Sequence, residues 1–164
     1  MNHLIDTATQ DLIARYIDSA CEDTISKMNN HGNEEGFTAA LGDKLIKTFD
    51  TQAIISGAKV SISYRQHNKI TEEKNSGADG SLVVKLRTEE KVIEKASLFQ
   101  AKIIKKYDSL REITLNKSES ERLVRQCNNM IRHTEEAVVM LYTPSGVYVM
   151  DAKNYIKGQE RINL

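Results

Sequence analysis

Apolar positions change their spacing several times along this chain of 164 residues. Leu4, Ile5, Leu12, Ile13, Tyr16, Ile17, Ala20, Ile25 and Met28 recur at mostly helical intervals, which predicts one or two helices within residues 5–29. The stretch "NNHGNEEG" then breaks the pattern with Asn and Gly. A second helix restarts at Asn33, a candidate N-cap followed by two glutamates in the first turn, where the helix dipole favours them. Phe37, Ala40, Leu41, Leu45 and Phe49 give it one apolar face. On that wheel Glu34 falls near Thr38, Leu41 and Leu45, and Glu35 lies about 100° away. Glu34 is therefore expected to look inward and Glu35 outward.

Beyond Gly57 the period shortens to two. Val60, Ile62 and Tyr64 alternate in "AIISGAKVSISYRQ", which predicts a strand. "HNKITEEKNSGADG" reads as a polar loop, "SLVVKLR" as a strand, "TEEKVIEK" as a hairpin connection and "ASLFQAKII" as the next strand. "NKSESERLVRQCNNMIRH" returns to helical spacing, with Ser118 or Ser120 as its cap. "EAVVMLYT" and "GVYVMDA" are two further strands joined at Pro144-Ser145-Gly146, a turn signal. The order helix, three strands, helix, strand, strand predicts an α/β domain with a mixed central sheet. Residues 1–32 form an N-terminal helical extension and residues 33–164 the main domain, which can itself be part of a longer protein.

Composition narrows the class without choosing a function. Hydrophobic residues are 40% and charged residues 28%, an ordinary globular balance. With 23 Lys+Arg against 23 Asp+Glu, bulk charge advertises no nucleic-acid partner, so any basic surface is local. Cys21 and Cys127 stand far apart with no CxxC, which argues against a zinc site or a disulfide scaffold. No apolar run reaches the length of a membrane span, and the acidic, interrupted start is no signal peptide. The expectation is a cytoplasmic protein with no membrane partner.

One arrangement calls for a chemical reason. Asp79 opens an apolar strand, and Gln100 and Lys102 sit on the next apolar strand, two residues apart and so on one face. If the two strands pair around "TEEKVIEK", an acid, an amide oxygen and an ammonium converge, and Glu34 can approach from the preceding helix. That set suits metal-assisted phosphodiester hydrolysis. Mg²⁺ (or Mn²⁺) takes oxygen ligands: the Asp79 carboxylate, the Gln100 side-chain oxygen and the Ala101 backbone carbonyl, with Glu34 through a water. Lys102 is then placed to orient or deprotonate the attacking water. The plainer alternative makes Asp79 a turn aspartate and turns Gln100 and Lys102 to solvent, with Phe99, Ala101 and Ile103 as the buried face.

"GADGSLVVKL...FQAKII" resembles the PD-(D/E)xK nuclease superfamily in its QxK variant. The resemblance spans residues 33–142 and implies a restriction-endonuclease-like αβββαβ core. It places Glu34, Asp79, Gln100 and Lys102 as catalytic residues, with Glu35 as the alternate to Glu34. Two positions depart from the common pattern: Ala78 stands where Pro is common, and Gln100 replaces the usual acid, removing one negative charge from the metal site. The resemblance also gives Gln126, on the helix after the lysine strand, an auxiliary role facing the site; an exposed helix glutamine is the alternative.

The same resemblance implies a Mg²⁺-dependent endonuclease acting on double-stranded DNA, an effector of bacterial anti-phage defence, working as a homodimer and attached to a sensor or motor domain or subunit. Arg65, Lys69 and Lys74 before the motif and Lys105 and Lys106 after it are the candidate phosphate contacts. Two other classes keep the same residues: a catalytically inactive nuclease-fold module for nucleic-acid binding or complex assembly, and an RNase using the same site.

Overall fold

The computed structural model describes residues 6–27, 33–51, 57–104 and 115–162. Along the chain run α1 (Thr7–Ile25), α2 (Glu34–Thr51), β1 (Lys59–Gln66), α3 (Glu72–Ser76), β2 (Gly80–Arg87), β3 (Val92–Ile103), α4 (Lys117–His133), β4 (Ala137–Thr143), β5 (Gly146–Asp151) and α5 (Ala152–Ile162). The strands form a five-stranded sheet in the order β1-β2-β3-β4-β5. β3 and β4 pair in parallel and β4 and β5 antiparallel, so the sheet is mixed and the class is α/β. The chain divides into two compact units, Met1–Tyr64 with Val83–Lys95 and Arg65–Leu82 with Ala96–Leu164.

The first unit is built on a helix pair. Asp6 caps α1 by accepting the Thr9 N–H at 2.8 Å. The apolar side of α1 meets α2 through the Tyr16 and Phe49 rings, edge to face at 6.2 Å, and an exposed ion pair between Lys44 and Asp23 at 2.6 Å also links the two helices. The predicted face of α2 is buried at Phe37, Leu41, Leu45 and Phe49. Gly42 lets α2 lie against the Tyr64 ring of β1, since a Cβ there would come within 2.6 Å of it. As predicted, Asn33 caps α2, its side chain accepting the Gly36 N–H at 2.8 Å.

In the second unit α4 is the crossover that parallel pairing of β3 and β4 requires. Its buried stripe, Leu123, Gln126, Cys127 and Met130, has i, i+3, i+4, i+7 spacing. Leu123, Cys127 and Met130 pack with Val139 of β4 and with Ala152 and Tyr155 of α5 in one core cluster. The β4–β5 turn is the two-residue loop Pro144-Ser145. The buried Thr143 hydroxyl accepts the Ser145 N–H at 3.2 Å and donates to the Gly146 carbonyl at 3.1 Å.

Four local expectations change. The segment read as a loop before Asp79 contains α3, five residues ended by Gly77 in the left-handed conformation (φ +74°), the cap that favours glycine. β3 begins at Val92, so the connection from β2 shrinks to residues 88–91, closed by Thr88 N–H donating to the Lys91 carbonyl at 2.8 Å. The cap of α4 is Asn116 rather than Ser118 or Ser120. Its oxygen accepts the Glu119 N–H at 2.9 Å while its amide donates to Glu119 Oε2 at 2.6 Å, so one side chain caps the helix and holds Glu119 in its first turn. Finally, α5 was not anticipated. Asp151 ends β5 and caps this helix at once, accepting the Asn154 N–H at 3.0 Å.

Candidate active site around Asp79 and Gln100

Asp79 sits between the Gly77 cap of α3 and the first residue of β2. Its own N–H donates to the Phe99 carbonyl at 2.9 Å, and its carbonyl accepts the His67 N–H at 2.8 Å. Both sides of its peptide backbone are therefore tied to neighbouring chain. Gly80 keeps the crossing tight, because a Cβ there would lie 2.6 Å from the Arg65 carbonyl and 2.7 Å from the Phe99 ring.

The side chain of Asp79 turns to β3. Its Oδ2 accepts the Ala101 N–H at 2.8 Å and the Gln100 amide Nε2 at 2.5 Å. Gln100 has no solvent exposure, and Phe99 and Ala101 beside it are equally buried. The plainer alternative, a solvent-facing Gln100, is thus overturned: β3 is covered on both faces at this point. Lys102 follows on the Gln100 face and is half-buried. Opposite them in register on β4 are Val139 and Leu141, both apolar.

The Gln100 amide is satisfied on one side only. Nε2 bonds Asp79 and lies 3.4 Å from the Ala101 carbonyl, whereas Oε1 is buried without a hydrogen-bond partner. An orphaned buried acceptor costs about 1–3 kcal/mol. Half a turn about the last side-chain bond exchanges Oε1 and Nε2 in nearly the same volume. Two acceptor oxygens would then face each other, an arrangement that needs a shared cation or proton between them. In that flipped arrangement the donor set would be one carboxylate and two neutral oxygens, from Asp79, Gln100 and the Ala101 carbonyl. These hard oxygen donors fit Mg²⁺, which often takes one or two carboxylates and keeps several waters. Among the described residues, no three His, Cys, Asp or Glu side chains gather into a metal-binding group.

Glu34 and Glu35 open α2 in the first unit and both are half-buried, so burial does not separate them. Gln126 is 9% exposed, which overturns the reading of an exposed helix glutamine, and it donates to Glu73 Oε1 of α3 at 3.3 Å. Met130 is plain core. Arg65 pairs with Glu72, and Lys69 and Lys74 line a pocket with residues of α4. Lys105 and Lys106 lie outside the described residues. Arg122 and Arg125, which line the same pocket, were not singled out from the sequence; their signal was basic residues at helical spacing beside Gln126.

The two thiols carry no reactive character. Burial pushes the Cys21 thiol up to about 11, with Asp18 and Glu22 adding to the effect. Burial likewise raises the Cys127 thiol to about 12, with a further push from Asp151. No helix among the described residues is long and apolar enough to cross a membrane. Neither a family model nor a curated protein matches this chain.

Proposed function

We propose that this chain is a metal-dependent nuclease of the PD-(D/E)xK superfamily, QxK variant, hydrolysing phosphodiester bonds in double-stranded DNA. The observation that carries the reading is the Gln100 side chain, fully buried, held 2.5 Å from Asp79 Oδ2, and left with an unmatched acceptor. A buried amide that bonds an acid and still lacks a partner is costly as scaffold and natural as part of a ligand set.

In this reading Asp79, the Gln100 oxygen (with the amide turned over) and the Ala101 carbonyl would hold Mg²⁺ or Mn²⁺, which would supply Lewis-acid polarisation of the phosphoryl group and a more acidic water. Lys102, two residues along the same face, orients that water and offsets charge on the phosphate as the bond breaks. Glu34, with Glu35 as its alternate, enters from the family resemblance as the support of a metal-bound water. A restriction-endonuclease-like core, the homodimer, the sensor or motor partner and the anti-phage role rest on that same resemblance.

A second reading draws on a different feature. Asp79 Oδ2 already takes two N–H donors, so the carboxylate is satisfied in part without any cation. That favours an inactive nuclease-fold module that binds nucleic acid or assembles with other chains. Supercoiled plasmid incubated with Mg²⁺ or Mn²⁺ separates the two. The nuclease reading expects nicking or linearisation by wild type and loss of about 100-fold or more in Asp79→Ala and Lys102→Ala, the size of effect that acid–base and electrostatic catalysis supply. Equal behaviour of wild type and both variants would sink it. The same assay on RNA and single-stranded DNA decides the substrate class.

A further inference from the structure

A pocket of about 360 Å³ lies between α3 and α4 in the second unit, and its charge is lopsided. Lys69, Lys74, Arg122 and Arg125 line it against a single acid, Glu73. All four cations are exposed residues, whereas Glu73 and Gln126 are withdrawn. The pocket therefore has a cationic rim and a polar floor. Four positive groups and one negative leave a local excess of three (4 − 1), in a chain whose total charge is zero. Gathering like charges in one place costs free energy through mutual repulsion.

The floor adds a second, independent feature. Glu73 Oε1 takes the Gln126 Nε2 donor at 3.3 Å and lies 3.7 Å from an Arg122 guanidinium nitrogen. Gln126 is thereby held by its donor end, and its Oε1 is buried with no hydrogen-bond partner. Cations on the rim call for phosphate oxygens, and an unmatched acceptor in the wall calls for a hydroxyl or N–H donor. A nucleotide carries both within one small unit. Gly77 fixes the pocket's place in the chain, two residues before Asp79, and the α4 backbone packs on it so closely that a Cβ would sit 2.4 Å from the Gln126 carbonyl.

We propose that this α3–α4 pocket is a strand-binding subsite that seats one nucleotide of a polynucleotide, with Lys69, Lys74, Arg122 and Arg125 on its phosphates. The subsite rests on the nucleic-acid reading above, but it concerns holding the strand and not breaking it.

The test is fluorescence anisotropy with a labelled single- or double-stranded oligonucleotide, in the Asp79→Ala background so that no strand is cut. The rim variant Lys74→Glu/Arg125→Glu is compared with Lys153→Glu/Lys157→Glu on α5, which changes net charge equally. The rim variant is expected to bind at least about tenfold more weakly at low salt, and to lower the slope of log affinity against log salt by about two, the loss of two phosphate contacts. Lys74→Gln/Arg125→Gln should give a smaller change in the same direction. Rim and α5 variants binding alike would overturn the subsite. So would binding of a labelled nucleoside monophosphate by protein that binds neither oligonucleotide, which makes the pocket a free-nucleotide site. Plasmid cleavage by otherwise wild-type protein is scored separately: its absence beside a rim-specific binding loss removes the nuclease reading and keeps the subsite, and its presence beside unchanged rim binding does the reverse.

Discussion

Gln100 Nε2 donates to Asp79 Oδ2 across 2.5 Å, from a strand position with no exposure to solvent. The contact joins residues 21 apart in sequence, and the Ala101 N–H meets the same oxygen from the strand itself. An amide and an acid fixed this way respond differently to substitution than a surface pair does.

Gln100→Glu removes the donor and sets a second carboxylate against the first in a buried place. Without metal the variant should lose about 3 kcal/mol, the cost of leaving charged acceptors facing each other unpaired. Its melting midpoint in EDTA should fall by about 6–12 °C for a chain of this size. Millimolar Mn²⁺ should raise the variant's midpoint more than that of wild type. A variant as stable as wild type in EDTA, with no response to Mn²⁺, contradicts the site geometry.

Gly77→Ala tests the approach of α3 to α4. Gly77 holds φ +74°, and a Cβ there meets the Gln126 backbone carbonyl at 2.4 Å. The left-handed conformation costs an alanine about 1–2 kcal/mol, and the contact with backbone adds to it. A urea titration should therefore show a loss above about 2 kcal/mol. Gly158→Ala is the matched control, because nothing lies within 4 Å of its Cβ position. That control should be neutral or slightly stabilising.

The thiols predict an alkaline limit. Both folded-state values are raised above the ordinary 9.0, Cys127 to about 12 and Cys21 to about 11, chiefly by burial. A raised value means the contribution is fully present below the unfolded value and is lost as pH rises through the folded one. Stability should hold up to about pH 9 and decline between about 9 and 12. A thiol reagent at pH 8 should label native Cys127 far more slowly than urea-unfolded protein. Equal rates would contradict its burial.

Asn116→Ala removes a cap that satisfies one backbone donor of α4 and positions Glu119. The expected loss is about 1 kcal/mol, and Asn116→Ser, which keeps a capping oxygen without a second carboxylate beside Glu119, should retain most of the stability. Ser118→Ala and Ser120→Ala test the sequence-based assignment. Of the two, Ser120 is expected to matter more, since its hydroxyl donates to Gln159 Oε1 at 2.7 Å and ties α4 to α5.

Long periodic elements were legible because their spacing is a direct image of which face is covered. The apolar faces of α2 and β1 and the Pro144-Ser145 hairpin all follow from pattern and turn chemistry. Short and polar elements were not. The five residues of α3 have no apolar stripe, and only the left-handed cap at Gly77 betrays them. α5 hid behind Gly158 and a polar surface, although Asp151 three residues before Asn154 was a capping signal. The burial of Gln126 was legible in principle, since it lies three residues after Leu123 and one turn before Met130. Polarity outweighed position there. At Asp79 and Gln100 the sequence shows which residues are awkward; which atom of the amide meets the acid depends on tertiary geometry that no spacing encodes.

The backbone of Asp79 is tied on both sides, its N–H to Phe99 and its carbonyl to the His67 N–H, while its side chain holds the Ala101 N–H. Moving the backbone that carries the acid requires parting both main-chain bonds, and Ala101 holds its side chain besides. The amide protons of His67, Asp79 and Ala101 should then exchange with solvent deuterium as one group, governed by a single opening event of the second unit. The backbone that carries the carboxylate is thus pinned at two points, so in the nuclease reading any repositioning would fall to the amide and ammonium on β3.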